Sequence, residues 1–254
     1  MLERIGERIA GFIEEMGKVI TLLFRAFSWL LKPPFKFRNA LKQMEVIGVN
    51  SVPVVLLTGF FTGSVFALQT YRGFHRFNAE YLVGYVVALA LTRELGPVLT
   101  ALMVTGRAGS LIAAEIGSMR VTEQIDAMEV MAVNPIQYLI VPRIVASMIM
   151  LPLLTIVADS IGIIGGYVIA VKFLGQSSVV YWTGIRENLQ ISDCFQGLEK
   201  AIVFGLVFSL IGCYKGYYTE GGAEGVGRAT TSAVVVASVL ILILDYFLTA
   251  VFFG

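Results

Sequence analysis

The sequence contains long runs of apolar residues with few or no charged side chains. Residues 46–71 hold no Asp, Glu, Lys or Arg, and residues 144–171 and 229–254 each hold a single acid. A helix needs about 20 residues to cross the hydrocarbon core of a bilayer. Because that core offers no water to backbone N–H and C=O groups, a crossing segment must pair them internally. These runs therefore predict membrane-spanning helices.

The composition agrees with this interpretation and excludes other classes of protein. Hydrophobic residues make up 57% of the 254 residues, and the mean hydropathy is +0.80. A soluble domain could not bury so much apolar surface, which excludes a soluble enzyme, a disordered tail and a nucleic-acid-binding domain. We predict an all-α polytopic membrane protein with five spans, at about residues 50–70, 81–107, 141–171, 197–217 and 230–252.

The second predicted span contains an interruption. Its sequence includes Arg93-Glu94-Leu95-Gly96-Pro97. Proline lacks the backbone N–H that an interior helical residue donates, and glycine loosens the turn before it. We therefore predict a kink or break in this span.

The basic residues set the expected orientation. Five spans place the two termini on opposite sides of the membrane, and loops rich in Lys and Arg stay in the cytoplasm. With the N-terminus inside, 13 Lys and Arg side chains lie on the cytoplasmic side and five lie outside. This bias predicts a cytoplasmic N-terminus and an external C-terminus.

Residues 1–45 form an N-terminal element that precedes the transmembrane domain of residues 46–254. Apolar residues recur in it at steps of three and four, with charged residues on the other face. This pattern predicts an amphipathic helix. The helix would lie in the membrane interface with Trp29 at the headgroup level, or it would pack on its own protein. We expect Lys32-Pro33-Pro34 to end it.

Four ionisable residues lie at apparent membrane depth, namely Arg93, Glu94, Asp159 and Asp245, and Lys200 lies near the outer end of the fourth predicted span. Charges there are unfavourable and usually face a cavity, a pathway or one another. Arg93 and Glu94 are adjacent, so on a helix they point about 100° apart and cannot simply neutralise each other. One interpretation is a polar lining for a substrate path. The alternative is an interhelical ion pair, such as Arg93–Asp245 or Glu94–Lys200.

Several kinds of chemistry are missing from the sequence. It has no Gly-x-x-x-x-Gly-Lys-Ser/Thr phosphate loop, so we do not expect ATP hydrolysis by that route on this chain. No cluster has the spacing of metal ligands, and nothing resembles a nucleophile with its base. We therefore assign no catalytic residue and no metal site.

The loop after the second predicted span contains a short amphipathic segment of about residues 117–131. Its apolar residues share one helical face, and its acids are displaced from that face. Asn134-Pro135 ends the segment. Such a helix either rests on the membrane surface or seats in a groove of a cytoplasmic partner and transmits force.

Several blocks of sequence resemble a known family. TRELGPVLTALMVTGRAGS at 92–110 is followed by AEIG at 114–117, VTEQIDAM at 121–128 and MAVNP at 131–135. GRATT at 227–231 and LDY at 244–246 lie in the last predicted span. The chain resembles the MlaE family of permeases, whose relatives include the chloroplast lipid-import permease. The likeness covers essentially the whole chain.

The resemblance implies a permease subunit of an ABC-type lipid transporter, and not an enzyme. The permease would work as a homodimer in the bacterial inner membrane, with its C-terminus periplasmic. A separate ATPase would hold ATP and Mg, with no cofactor on this chain. A hexameric ring of MCE-domain protein would sit on the periplasmic side, and a STAS-domain protein would bind the ATPase. The substrate would be phospholipid, moved between the inner and outer membranes.

The resemblance also suggests roles for particular residues. The 117–131 segment becomes a helix that couples to the ATPase. Arg93, Glu94, Lys200 and Asp245 become the wall of a lipid pathway. The coupling residues would be Glu115, Arg120, Glu123, Gln124, Asp126, Met128 and Glu129.

Two other classes of protein remain as alternatives. The first is an ion-coupled secondary transporter of an apolar substrate, with Asp159, Glu94 or Asp245 carrying protons. The second is a membrane-embedded enzyme that acts on lipids. Such enzymes usually need His, Cys or clustered Asp at the interface, and the sequence does not offer that combination.

Overall fold

The computed structural model describes residues 2–30 and 37–253, and for residues 2–9, 12 and 253 it describes the backbone alone. The secondary structure in these ranges is helical. The α-helices are α1 Leu2–Leu30, α2 Phe37–Ile47, α3 Val52–His75, α4 Val83–Ala90, α5 Gly96–Val104, α6 Ser110–Val121, α7 Gln124–Val130, α8 Val141–Tyr167, α9 Ser178–Asn188, α10 Ile191–Tyr217 and α11 Gly222–Phe253. Short 3-10 turns cover Val49–Ser51 and Glu80–Leu82, and π-helical turns cover Leu91–Leu95, Thr105–Gly109, Ile136–Ile140 and Val168–Phe173.

Five helical segments of the described chain are long and apolar enough to cross a membrane. They run over Phe37–His75, Glu80–Val121, Ile136–Phe173, Ile191–Tyr217 and Gly222–Phe252. The predicted fold class, an all-α polytopic membrane protein with five spans, is confirmed.

The second span continues well beyond its predicted end near residue 107. The sequence predicts an end at Arg107 because a charge inside a membrane span is unfavourable. In the structure its Nε donates a hydrogen bond to Ser51 Oγ at 2.9 Å, and its Nη2 donates to the carbonyl of Val46. Because the first span satisfies this guanidinium, the helix passes through Arg107 and ends at Val121.

The predicted interruption of the second span is confirmed at residues 91–95, where a π-helical turn separates α4 from α5. In a regular α-helix the N–H of residue 97 would donate to the carbonyl of residue 93. Pro97 has no such N–H. The Arg93 carbonyl instead accepts a hydrogen bond from Lys200 Nζ at 3.2 Å. The break therefore exposes a backbone acceptor to another helix.

Glycines allow the spans to approach closely. A Cβ at Gly63 of α3 would overlap the backbone of Gly162 on α8, and a Cβ at Gly59 would lie 2.8 Å from the carbonyl oxygen of Ala158. Small residues permit such contacts between membrane helices. As a result α8 packs between α3 and α10, at the centre of the bundle.

The N-terminal helix α1 has two apolar sides with different surroundings. Leu22 and Ala26 are buried in the bundle, whereas Ile13, Ile20 and Phe24 are exposed. The helix thus packs on its own protein and also presents an apolar side of the kind that suits a membrane interface. The Lys32-Pro33-Pro34 segment, which we expected to end this helix, lies outside the described residues.

The predicted helix of about residues 117–131 is divided in two. Residues 117–121 are the end of α6, and α7 covers only Gln124–Val130. The break falls at Glu123, whose φ of 58° lies in the left-handed region that interrupts a right-handed helix. Ile125 is fully buried and fastens α7 to the bundle. The bounds of the amphipathic helix are therefore narrower than predicted.

Candidate functional site

A network of charged side chains lies at membrane depth, centred on Lys200. Its side chain is 0% exposed. Lys200 Nζ lies 2.6 Å from Glu94 Oε2, 3.1 Å from Asp245 Oδ1 and 2.7 Å from Thr249 Oγ1. Together with the Arg93 carbonyl, these groups connect the second, fourth and fifth spans. Of the two ion pairs considered from the sequence, Glu94–Lys200 is present.

Local packing explains why Lys200 reaches these partners. A Cβ at Gly197 would overlap the Thr92 carbonyl, so α10 lies directly against the π-helical turn. Lys200 follows one turn later on α10 and faces the carbonyl that Pro97 leaves without its helical donor. Asp245 and Thr249 are four residues apart on α11 and so share a face.

Arg93 pairs with Asp193, a residue that sequence reasoning missed. Arg93 Nε and Nη2 lie 2.9 Å and 2.5 Å from Asp193 Oδ1. The predicted alternative partner Asp245 bonds Lys200 instead. Asp193 belongs to the first turn of α10, where its Oδ2 accepts the Gln190 N–H at 3.0 Å in a capping box. Its Oδ1 accepts from Arg93. The predicted fourth span began only at residue 197, but the Gln-x-x-Asp spacing could have revealed this earlier helix start.

The exposed side of the network consists of its carboxylates, because the lysine is fully buried beneath them. The Glu94 side chain is 36% exposed and that of Asp245 is 21% exposed. An ammonium carries three N–H donors, and Lys200 already has four acceptors within reach. Any group that enters from the open side would therefore meet acceptors on Glu94 and Asp245.

Asp159, the remaining acid at membrane depth, occupies a different place. It lies on α8 with its Oδ1 against Gly96. That oxygen is buried and has no hydrogen-bond partner in the described part of the chain. The hydrogen bonds of the Lys200 network do not include it.

The residues predicted to couple to an ATPase surround α7. Arg120 Nη1 lies 2.5 Å from Asp126 Oδ1, and the Arg120 guanidinium sits over the Tyr217 ring. Tyr217 donates a hydrogen bond to Glu129 Oε1 at 3.2 Å. These contacts join the end of α6, α7 and the end of α10.

The other predicted coupling residues have mixed surroundings. Glu123 and Gln124 are exposed, and Gln124 Nε2 donates to Thr122 Oγ1 at 3.0 Å. Met128 is half-buried and packs on the hydrophobic core. Glu115 lies on α6 and pairs with Arg143. The exposed polar side of α7 is therefore open to a partner, while its other side holds it in place.

Comparison with known proteins identifies the family. A family model described as Permease MlaE matches residues 40–251. The chain belongs to the MlaE permease family. This region includes the Lys200 network, α7 and all but the outermost residues of the five membrane-crossing segments, and it begins after α1.

Relatives of this MlaE-family chain cover nearly its whole length. A probable ABC transporter permease protein of Rickettsia felis is 49% identical over 249 residues, which are 98% of this chain and 96% of that protein. The intermembrane phospholipid transport system permease protein MlaE of Haemophilus influenzae is 40% identical over 256 residues, covering 100% and 97%. The Arabidopsis thaliana protein TRIGALACTOSYLDIACYLGLYCEROL 1, chloroplastic, is 41% identical over 224 residues, covering 88% and 64%. The chain is an ABC transporter permease, a non-enzymatic multi-pass subunit.

Proposed function

We propose that this permease moves phospholipid between the inner membrane and an MCE-protein ring or the outer membrane, driven by a separate ATPase subunit. The observation that carries the proposal is the Lys200 network, a set of polar groups partly open at membrane depth inside an apolar bundle. Similarity to the Haemophilus intermembrane phospholipid transport permease supports phospholipid as the substrate. Glu94 and Asp245 would contact the headgroup, and apolar helix sides would contact the acyl chains.

The energy would come from a separate ATPase that binds ATP and Mg. Permeases of ABC transporters work with such a subunit, and α7 offers it an exposed polar side. A hexameric MCE-domain ring on the periplasmic side and a STAS-domain protein on the ATPase complete the proposed assembly. Two copies of the permease would form the lipid cavity. The exposed apolar side of α11, with Val235, Val239 and Tyr246, supports contact with lipid or with a second copy.

Helix α10 provides a physical link between the ATPase side and the lipid pathway. Tyr217 at its end contacts Glu129 of α7, and Lys200 lies 17 residues earlier on the same helix. At about 1.5 Å per residue, that separation is about 25 Å. A push on α7 would therefore move α10 and shift Lys200 relative to Glu94 and Asp245, which changes the space open to a headgroup.

The proposed orientation places the N-terminus in the cytoplasm and the C-terminus in the periplasm. The distribution of Lys and Arg supports it. In this orientation α7 faces the ATPase, and α9 lies on the side of the MCE ring.

Photocrosslinking in the assembled transporter tests the lipid pathway. A photoreactive amino acid at position 94 or 245 should label phospholipid, and ATP should change the yield. Position 243 on α11, where Ile243 is an exposed apolar residue, gives the background from bulk lipid. Equal, ATP-independent labelling at all three positions would contradict the pathway.

Reconstitution separates the proposal from an ion-coupled transporter. Asp159, with its unpartnered buried oxygen, is the residue that would favour proton coupling. Vesicles that contain the permease with its ATPase should transfer fluorescent phospholipid only when ATP is present. Transfer driven by a proton gradient without the ATPase would overturn the proposal in favour of the secondary transporter.

A further inference from the structure

Counted with the adjoining Arg93–Asp193 pair, the Lys200 network holds one more acid than base. Arg93 pairs with Asp193, and Lys200 pairs with Glu94. Asp245 shares the same ammonium, with its Oδ1 3.1 Å from Lys200 Nζ. With three acids and two bases, these five side chains carry a net charge of about −1 at neutral pH.

The two carboxylates on the exposed side also keep hydrogen-bonding capacity. Asp245 accepts from Lys200 through Oδ1, and its Oδ2 has no donor among the described residues. Glu94 Oε1 lies 3.2 Å from the Thr249 hydroxyl, but that hydroxyl carries one donor and lies closer, at 2.8 Å, to the backbone carbonyl of Asp245. Both side chains are partly exposed. Two acceptors are therefore open to a ligand.

This arrangement is unfavourable for an anionic headgroup. Lys200 is fully buried, and the acceptors around it outnumber its N–H donors. Both bases of the group already pair with a carboxylate. A negative charge placed beside the excess carboxylate would be repelled, and the repulsion is stronger away from bulk water.

We propose that the lipid pathway recognises a headgroup that carries a primary ammonium, as in phosphatidylethanolamine. This inference rests on the proposed function, because the site is the lipid pathway assigned above. A primary ammonium brings one positive charge, which balances the excess acid. It also brings N–H donors for Asp245 Oδ2 and Glu94 Oε1. Hydrogen bonds between two charged groups are the stronger kind.

Two other common headgroups each lack part of this match. The quaternary ammonium of phosphatidylcholine has the positive charge but no N–H donor. The glycerol of phosphatidylglycerol has O–H donors, but that lipid carries a net negative charge. The phosphate is common to all three lipids and does not discriminate between them. The site therefore selects by charge and by N–H donors together.

A series of N-methylated lipids tests the inference on the unaltered protein. The full-length permease is placed in nanodiscs with equal amounts of phosphatidylethanolamine, its monomethyl and dimethyl derivatives, phosphatidylcholine and phosphatidylglycerol, all with the same acyl chains. Native mass spectrometry measures the lipid that stays bound. Retention should fall with each methyl group and be about tenfold lower for phosphatidylcholine than for phosphatidylethanolamine. Phosphatidylglycerol should also be retained less than phosphatidylethanolamine.

A matched pair of variants locates the preference. Asp245→Asn keeps an acceptor for Lys200 but removes the excess charge, so the preference for phosphatidylethanolamine should fall to within about twofold. Glu199 is exposed and adjoins Lys200 on α10, so it lies at nearly the same depth but outside the hydrogen bonds of the network. Glu199→Gln should keep the wild-type preference.

Equal retention of phosphatidylethanolamine and phosphatidylcholine by the wild type would overturn the inference, since a proton on one carboxylate would then balance the charge. An equal loss of preference in Asp245→Asn and Glu199→Gln would also overturn it. Failure of the proposed function looks different: the reconstituted transporter then transfers no phospholipid with ATP, whichever headgroup the lipid carries. Equal ATP-dependent transfer of all headgroups overturns the ammonium preference alone, and faster transfer of phosphatidylethanolamine supports it.

Discussion

At the scale of single residues, Pro97 and Lys200 explain why charges persist at membrane depth. Pro97 leaves the Arg93 carbonyl without its helical donor, and Lys200 supplies a donor from another helix. Lys200 in turn holds Glu94 and Asp245 near each other. A charge that would be unfavourable alone is thus stabilised by partners from two other spans.

Removing Lys200 should therefore destabilise the protein more than removing the whole network. Lys200→Met leaves Glu94 and Asp245 without a counter-charge, and loss of one partner of a buried ion pair lowers stability by about 3–5 kcal/mol. The triple variant Lys200→Met, Glu94→Gln, Asp245→Asn should recover most of that loss, because no charge is then left unpaired. Thermal unfolding in detergent measures the stability of the single and triple variants against the wild type.

Phospholipid transfer should remain impaired in the triple variant despite its recovered stability. Such a result separates a role in the pathway from a purely structural one. Full transfer by a stable triple variant would contradict the assignment of Glu94 and Asp245 to the pathway.

At the scale of elements, close helix contacts fix how the spans are rotated against one another. Gly63 meets the Gly162 backbone on α8, whereas a Cβ at Gly73, later on the same helix α3, would have open space. The rotation of α3 and α8 thus depends on a few small residues, and it decides which side chains of each span meet.

Alanine substitutions at these two glycines should have opposite effects. Gly63→Ala would force α3 away from α8 and should lower stability by about 1–3 kcal/mol. Gly73→Ala should be neutral or stabilise by up to about 1 kcal/mol, since alanine favours a helix. Thermal unfolding compares the two, and equal effects would show that the Gly63 contact does not determine the packing.

Helix α7 is the element that we expect to carry ATPase coupling. Its buried Ile125 holds it in place, and Glu123 and Asp126 are exposed. The double charge reversal Glu123→Arg, Asp126→Arg should abolish stimulation of the ATPase by the permease while thermal unfolding changes little. Glu187→Arg on α9, in the loop after the third span, should leave stimulation intact. Normal ATPase stimulation by the double variant would show that these residues of α7 do not carry the coupling.

At the scale of the whole molecule, five spans and an asymmetric distribution of basic residues define the expected topology. The odd number of spans separates the termini, and this holds whichever helices pack together. The side on which each terminus lies is set by the loop charges.

Fusions with reporter proteins test this orientation. Alkaline phosphatase fused to the C-terminus should be active, because it folds in the periplasm, and a green fluorescent protein fusion at the same place should be dark. Inserted in the loop between Tyr218 and Gly222, the two reporters should give the reverse pattern. An inactive phosphatase with a fluorescent C-terminal fusion would reverse the proposed topology.

The number of spans, the break near Pro97 and the family could all be predicted from the amino-acid sequence. These features depend on local properties of one segment. An apolar run partitions into hydrocarbon, and a proline lacks an N–H, whichever helices pack against that segment. The sequence also placed Arg93, Glu94 and Asp245 at membrane depth and Lys200 near the outer end of the fourth span, but it left their partners open.

The partners of those charges follow from the way the helices pack together. Arg93 selects Asp193, which lies 100 residues away, and Lys200 selects Glu94 and Asp245 together. Packing also allows the second span to pass through Arg107, whose guanidinium bonds Ser51 and the Val46 carbonyl of the first span. Which side chains pair depends on how separate helices are rotated and shifted along their axes relative to one another. Those rotations and shifts are set by close contacts such as Gly63 with Gly162, which no single segment of sequence contains.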